Sequence, residues 1–164
     1  MLINSELAAY GMFQIAFAAL DTRLSWTLFA ISVCEGEGLS FESIRRETFG
    51  RRLDTLEKLR KRLAHKLKRA DASPRAIDAD LDELTRACDA ARSVQNWRNG
   101  RIHAKVMFSD EGAPVLIQNG RRLRLDREEC EQRIHEAVKA GLAIETLAKY
   151  IVAILQDIKT FKVD

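Results

Sequence analysis

Between residues 7 and 33 the chain carries only two charges, Asp21 and Arg23, and no proline. Phe13, Phe17, Leu20, Leu24, Leu28 and Ile31 recur there every three or four residues, the spacing of one face of an α-helix. Ile15, Trp26 and Phe29 lie off that stripe. A helix that is apolar on more than one side is covered on more than one side. The segment is therefore expected as a buried core helix over about 5–33, with its second side offered to another subunit. The charge-free run 7–20 and the nearly charge-free run 24–33 each fall short of the ~20 residues of a membrane span. Residues 1–6 hold no positive region of the kind that opens a secretory signal. The expectation is a cytoplasmic protein that does not enter a membrane.

The rest of the chain reads as more helices. Only Pro74 and Pro114 are present, so long helices are permitted. Glu35-Gly36-Glu37-Gly38 reads as a loop, and Ser40 as the N-cap of a second helix. The apolar stripe of that helix runs through Phe41, Ile44, Phe49, Leu53, Leu56, Leu59, Leu63 and Leu67, with a bend at Gly50. Ser73-Pro74 opens a third helix, with Ile77, Leu81, Leu84, Cys88 and Ala91 on one stripe. The same rhythm continues to Gln95, Arg98 and Ile102 and places Arg98 on the inner face, before Gly100 interrupts the helix. Over 105–125 the period changes to two. Val106 to Phe108 and Val115 to Gln118 are strand-like, Asn119-Gly120 is a hairpin turn, and Arg122 to Leu125 alternates. Asp126 with Glu129 resembles a capping box for a last helix that carries Cys130, Ile134, Val138, Ile144, Leu147, Ile151, Ile154, Ile158 and Phe161, with a break near Gly141.

These elements make a mainly α chain. The expected fold is an up-and-down bundle of four to five helices in one domain over 1–164, with a small β-hairpin inserted before the last long helix. A chain of 164 residues with 46% hydrophobic and 31% charged residues is long and apolar enough for a real core. Cys34, Cys88 and Cys130 are odd in number, widely separated and form no CxxC pair. They read as reduced thiols in or near the core of a cytosolic protein, and their spacing suits no zinc site. No cofactor or metal is implied. The net charge of +3 hides an uneven distribution. Residues 45–69 hold 11 basic residues against 3 acidic ones, while 71–91 hold 6 acidic and 2 basic. The basic stretch reads equally as an RNA-attracting surface, including Arg60 and Arg62, or as a solvated face balanced by the acidic helix.

The segment best suited to chemistry is Trp97-Arg98-Asn99-Gly100-Arg101-Ile102-His103. Histidine titrates near neutrality and moves protons as general base or acid. Arginine offers a fixed charge and a two-pronged donor for phosphate, and Asn99 adds a polar donor and acceptor. Together they suit cleavage of an RNA phosphodiester without a metal. In that reaction the ribose 2′-hydroxyl attacks phosphorus, His103 handles protons, and Arg98 stabilises charge on the phosphoryl oxygens. Arg101 and Lys105 are surface candidates for gathering phosphate. Trp97 reads as a core or interface anchor, with base stacking as the alternative. Spacing by itself is a weak signal, because Arg60 and His65 share it. Asn99, the inward phase of Arg98 and the position between a helix and a hairpin set 98–103 apart.

This segment resembles the Arg-x(4–6)-His motif of the HEPN superfamily, in which the residue after the arginine is commonly Asn, Asp or His. The resemblance implies a helical bundle that dimerises and brings two motifs into one cleft. It also implies a metal-independent ribonuclease of a toxin–antitoxin or phage-defence system, with Arg98, Asn99 and His103 in the site and an antitoxin or other defence protein as a possible partner. HEPN toxins paired with a nucleotidyltransferase antitoxin often have a tyrosine two residues after the histidine. Lys105 stands there instead, a departure from that pairing. Five residues of helix rotate by about 140°. Arg98 and His103 therefore meet only if Gly100 breaks the helix, if Arg98 reaches around it, or if the pair comes from two subunits. Two alternatives remain at the level of sequence. One is a dimeric HEPN-like module that binds RNA or a nucleotide, or regulates a partner, without catalysis. The other is a helical dimerisation protein whose motif is accidental.

Overall fold

The computed structural model describes residues 5–69, 74–102, 104–109, 111–112 and 114–160. Five helices and three strands follow in the order α1 (Ser5–Glu35), α2 (Phe41–Arg46), α3 (Phe49–Arg69), α4 (Pro74–Ile102), β1 (Lys105–Phe108), β2 (Pro114–Gln118), β3 (Arg121–Arg124) and α5 (Arg127–Thr160). The chain is a helical bundle with a small antiparallel sheet before its last long helix, as the periodicities predict. Ser73, the expected cap of α4, and Phe161 and His103 lie outside the described residues.

The stripe from Phe13 to Ile31 is buried along its whole length, and α5 and α3 pack on it. Leu20 meets Gly141 of α5, and Phe17 meets Phe49 at the start of α3 with ring centroids 4.9 Å apart. Each charge that interrupts the apolar run of α1 is paired across the bundle. Asp21 binds the buried Arg52 of α3, which also donates to the Ser25 hydroxyl. Arg23 binds Glu145 of α5 at 3.1 Å. These contacts align α1 with α3 and α5. Helix α4 runs opposite to both of its neighbours: Arg92 reaches Asp54 and Glu57 of α3, while Trp97 reaches Glu129 at the start of α5. By length and composition α1 could cross a membrane, against the expectation from its two shorter runs, and 44% of the relevant window is buried in the bundle.

Several local expectations change. The basic helix does not bend at Gly50. It divides at Glu47-Thr48, because Thr48 starts α3 afresh: its hydroxyl accepts from the Arg51 N–H at 3.4 Å and its carbonyl from the Arg52 N–H at 3.0 Å. Ser40 caps α2 as predicted, accepting from the Ser43 N–H at 3.1 Å. Gly100 does not interrupt α4, which continues to Ile102. Gly141 does not break α5 either; it lets α1 come close, since a Cβ there would sit 3.2 Å from Cδ of Arg23. The inner stripe of α4 holds through Leu81, Leu84, Cys88 and Ala91, then turns to Val94 and Trp97 where the helix packs on α1 and α5.

The sheet is a meander ordered β1-β2-β3. Asn119 and Gly120 both take positive φ, 51° and 75°, as a two-residue hairpin turn requires. Leu116 is buried and Leu123 packs against the core beside it, which fixes one sheet face to the bundle.

Removing Asp21 leaves the Arg52 guanidinium buried without its carboxylate. Asp21→Ala is expected to cost about 2–3 kcal/mol, since Asp21 itself keeps some contact with water. Arg52→Met should cost less, because the orphaned carboxylate can turn to solvent. Chemical denaturation of the two variants checks the order. Burial, with Glu57 and Asp89 nearby, pushes the Cys88 thiol up to about 12, and burial also raises that of Cys130. Cys34 is only half-buried. Alkylation of the native protein followed by mass mapping should therefore modify Cys34 first, and the other two only on unfolding.

Candidate functional site

The motif's described part, Arg98 to Ile102, occupies the last turn of α4, which is anchored by three residues acting together. Trp97 is buried edge-on against Phe13, with centroids 4.6 Å apart, and its indole N–H donates to Glu129 Oε1 at 2.6 Å. Arg101, one turn later on the same face, lies 4.0 Å over the Trp97 ring and binds Glu129 Oε2 at 3.0 Å. Asp126 positions Glu129 by accepting its backbone N–H at 3.0 Å. Half of the expected capping box is present, and the glutamate carboxylate holds the end of α4. Trp97 is thus a core anchor rather than an exposed stacking surface. Arg101 was expected at the surface, but it is largely buried and its charge is met by Glu129.

Arg98 is held differently. Its guanidinium carbon lies 4.5 Å over the Phe17 ring. Its Nε is buried without a hydrogen-bond partner, as is that of Arg101. What sets Arg98 apart is that no carboxylate lies within salt-bridge distance of it among the described residues, whereas Arg101 binds Glu129. Half-buried rather than fully inward, it sits beside the turned stripe. Phe17 also packs on Phe49, and Gln95, one turn before Arg98, lies against Gly50. The uncompensated guanidinium therefore stands above the aromatic pair that anchors the first turn of α3. That turn has no acidic residue and carries Arg51. A helix N-terminus and a free guanidinium both favour an anion such as phosphate.

Asn99 is exposed beside Arg98, and the Ala104 N–H donates to the Arg101 carbonyl at 3.0 Å as the chain leaves α4 for β1. Lys105 is exposed on β1. His103 lies outside the described residues, so the motif's second half is fixed only by its place between Ile102 and Ala104. With α4 continuous through Gly100, a helix break there does not bring Arg98 toward His103.

Arg60 and Arg62 are not brought to the motif. Helices α3 and α4 are antiparallel, with Gly50 opposite Gln95 and Asp54 and Glu57 opposite Arg92. Ten residues of α3 separate Gly50 from Arg60, about 15 Å of helix. Arg62 binds Glu37 in the loop after α1. The balance expected between a basic and an acidic helix is locally reversed, because the basic residue Arg92 of α4 bridges two acidic residues of α3. A groove of about 540 Å³ between α4 and α5, lined by Arg86, Ser93, Glu136 and Lys139 among others, also lies away from the motif.

The aromatic floor of Phe17 and Phe49 and the Trp97–Arg101–Glu129 anchor escaped sequence reasoning. The i, i+4 spacing of Trp97 and Arg101 was the available signal for the latter. No family model matches the chain, and no curated protein or solved structure matches it.

The two arginines should separate in stability. Glu129→Ala removes two charge-assisted contacts and is expected to cost about 2–3 kcal/mol. Arg98→Ala loses chiefly its contact with Phe17, about 1 kcal/mol. Thermal unfolding of the two variants checks the difference.

Proposed function

We propose that the chain is a metal-independent endoribonuclease of the HEPN type, acting in the cytoplasm as a homodimer in a toxin–antitoxin or phage-defence setting. The observation that carries the reading is the contrast between two arginines three residues apart. Arg101 is neutralised by Glu129 and built into the fold. Arg98 is kept over Phe17 without a carboxylate, beside exposed Asn99 and the positive end of α3. A cation left uncompensated at a partly buried position is costly unless a ligand anion completes it.

In this reading Arg98 takes the phosphoryl oxygens of RNA and stabilises the charge that builds on them. Asn99 orients the phosphate or the attacking ribose. His103 accepts the proton of the 2′-hydroxyl as its oxygen attacks phosphorus. The 5′-oxygen leaves with a proton, giving a 2′,3′-cyclic phosphate and a 5′-hydroxyl end. Lys105 extends the positive surface onto β1, while Arg101 supports the site from behind.

Incubation with structured RNA in EDTA tests this. The wild type should cleave and leave cyclic phosphate ends. His103→Ala and Arg98→Ala should each lose about 100-fold or more while remaining folded, and Asn99→Ala should lose less. Clean wild-type protein that binds RNA without cutting it would support the binding module instead. Cleavage that survives both substitutions would remove the motif from the reaction.

A further inference from the structure

The outward side of α1 is apolar and exposed at Met12, Ile15 and Trp26. Exposure by itself names no occupant, but farther along the helix the surface becomes concave. Where residues 23–30 of α1 lie beside residues 145–152 of α5, the two helices enclose a slot of about 340 Å³. That volume falls at the small end of the range of small-molecule sites. Trp26, 54% exposed, forms one wall. Its indole is held in place, stacked on Phe41 of α2 with centroids 4.2 Å apart and edge-on to Phe29 at 5.9 Å. Ala30, Ala148 and Val152 complete an apolar lining, and the alanine from each helix leaves room beside the large ring.

Two polar features converge on this slot. Thr27 lines it and is only 4% exposed, yet its hydroxyl makes no hydrogen bond among the described residues. Thr22 and Ser25 of the same helix each return their hydroxyl to the carbonyl four residues earlier; Thr27 does not. A buried hydroxyl is costly to leave unpaired, so this one is suited to a partner that enters the slot. The second feature is a charge imbalance at one end. Arg23 and Lys149 share a single carboxylate: Glu145 Oε2 accepts from Arg23 Nε at 3.1 Å, and Oε1 from Lys149 at 2.8 Å. One positive charge is left over. The two terminal nitrogens of Arg23 have no hydrogen-bond partner among the described residues.

We propose that this slot binds a small aromatic carboxylate, with its ring against Trp26 and its carboxylate on the free edge of Arg23 and on Lys149. Thr27 stands one turn from Arg23 on the same helix face, so its hydroxyl and the guanidinium meet the same carboxylate. The apolar lining takes the body of the ligand, and the surplus cation takes its charge. The rigid indole selects a planar ring over a flexible chain. Thr27 lies ten residues, about 15 Å, along α1 from Phe17, on which Arg98 rests. The slot is therefore separate from the motif and does not rest on the ribonuclease reading. A ligand held by both helices ties α1 to α5 beside the Arg23–Glu145 pair and stabilises the folded chain.

Titration of the isotope-labelled full chain with naphthoate, followed by nuclear magnetic resonance, tests the site. The indole N–H signal of Trp26 should move and that of Trp97 should not, with a dissociation constant on the order of 0.1 mM. Saturating naphthoate should also raise the unfolding temperature. Naphthalenemethanol, the same ring without the charge, should bind at least about tenfold more weakly. Thr27→Val, which keeps the shape and removes the hydroxyl, should weaken naphthoate about fivefold. Ala30→Phe should fill the slot and abolish binding, with helical circular dichroism unchanged in both variants. A Trp26 signal that stays fixed at millimolar naphthoate overturns the site, as does binding indifferent to both substitutions. Equal affinity for naphthalenemethanol overturns the role of Arg23 and Lys149. Tighter binding of octanoate than of naphthoate overturns the aromatic assignment and gives the slot to acyl chains.

Discussion

The stripe that α1 buries from Phe13 to Ile31 sets the frame for the remaining elements. Each large side chain on it contributes on the order of 1.5–3 kcal/mol by leaving water, and both α3 and α5 pack on it. Asp21 and Arg23 convert that non-directional attraction into a fixed register. One is tied to Arg52 of α3 and the other to Glu145 of α5. A helix that was apolar alone could slide or rotate against its neighbours. Paired charges at fixed positions make such displacements costly, because each would leave a half-buried charge without its partner.

The same helix links the fold to the candidate site. Phe13 receives Trp97, and Phe17 receives the Arg98 guanidinium and the Phe49 ring. The end of α4 and the beginning of α3 are thus assembled on two neighbouring turns of α1. From the other side Glu129 closes the arrangement, holding Trp97 and Arg101 together. Support and candidate function are divided between adjacent residues: Trp97 and Arg101 fix the helix end, while Arg98 and Asn99 remain available to a ligand.

Spacing decided the elements well where a single neighbour was involved. Among the described side chains, the stripe of α1, that of α3 through Leu63 and that of α4 from Leu81 to Ala91 are buried as the periodicity requires, and Asn119-Gly120 makes the hairpin turn its backbone preferences favour. Prediction was weaker wherever a residue's role depended on what packs against it. In isolation Gly50 reads as a bend and Gly100 and Gly141 as breaks, yet each lies within a continuous helix. Gly141 has a purpose visible only with Arg23 and Leu20 beside it. The turn of the α4 stripe toward Val94 and Trp97 follows from α4 moving onto α1 and α5, which no count along one helix reveals. The assignment of Arg101 to the surface failed for the same reason, since its partners are Trp97 on its own helix and Glu129 on another.

The sequence by itself determined the helical class, the insertion of a small sheet, the dominant core stripe and the segment in which Arg98 and Asn99 stand. These follow from periodicity, turn chemistry and residue type, which are local properties. Tertiary structure alone decided which arginine is neutralised and which is not, because charge compensation depends on carboxylates distant in sequence. It also decided that the second apolar side of α1 stays exposed on a single chain. Periodicity can say that a face is apolar, but only the arrangement of the other helices says whether anything covers it.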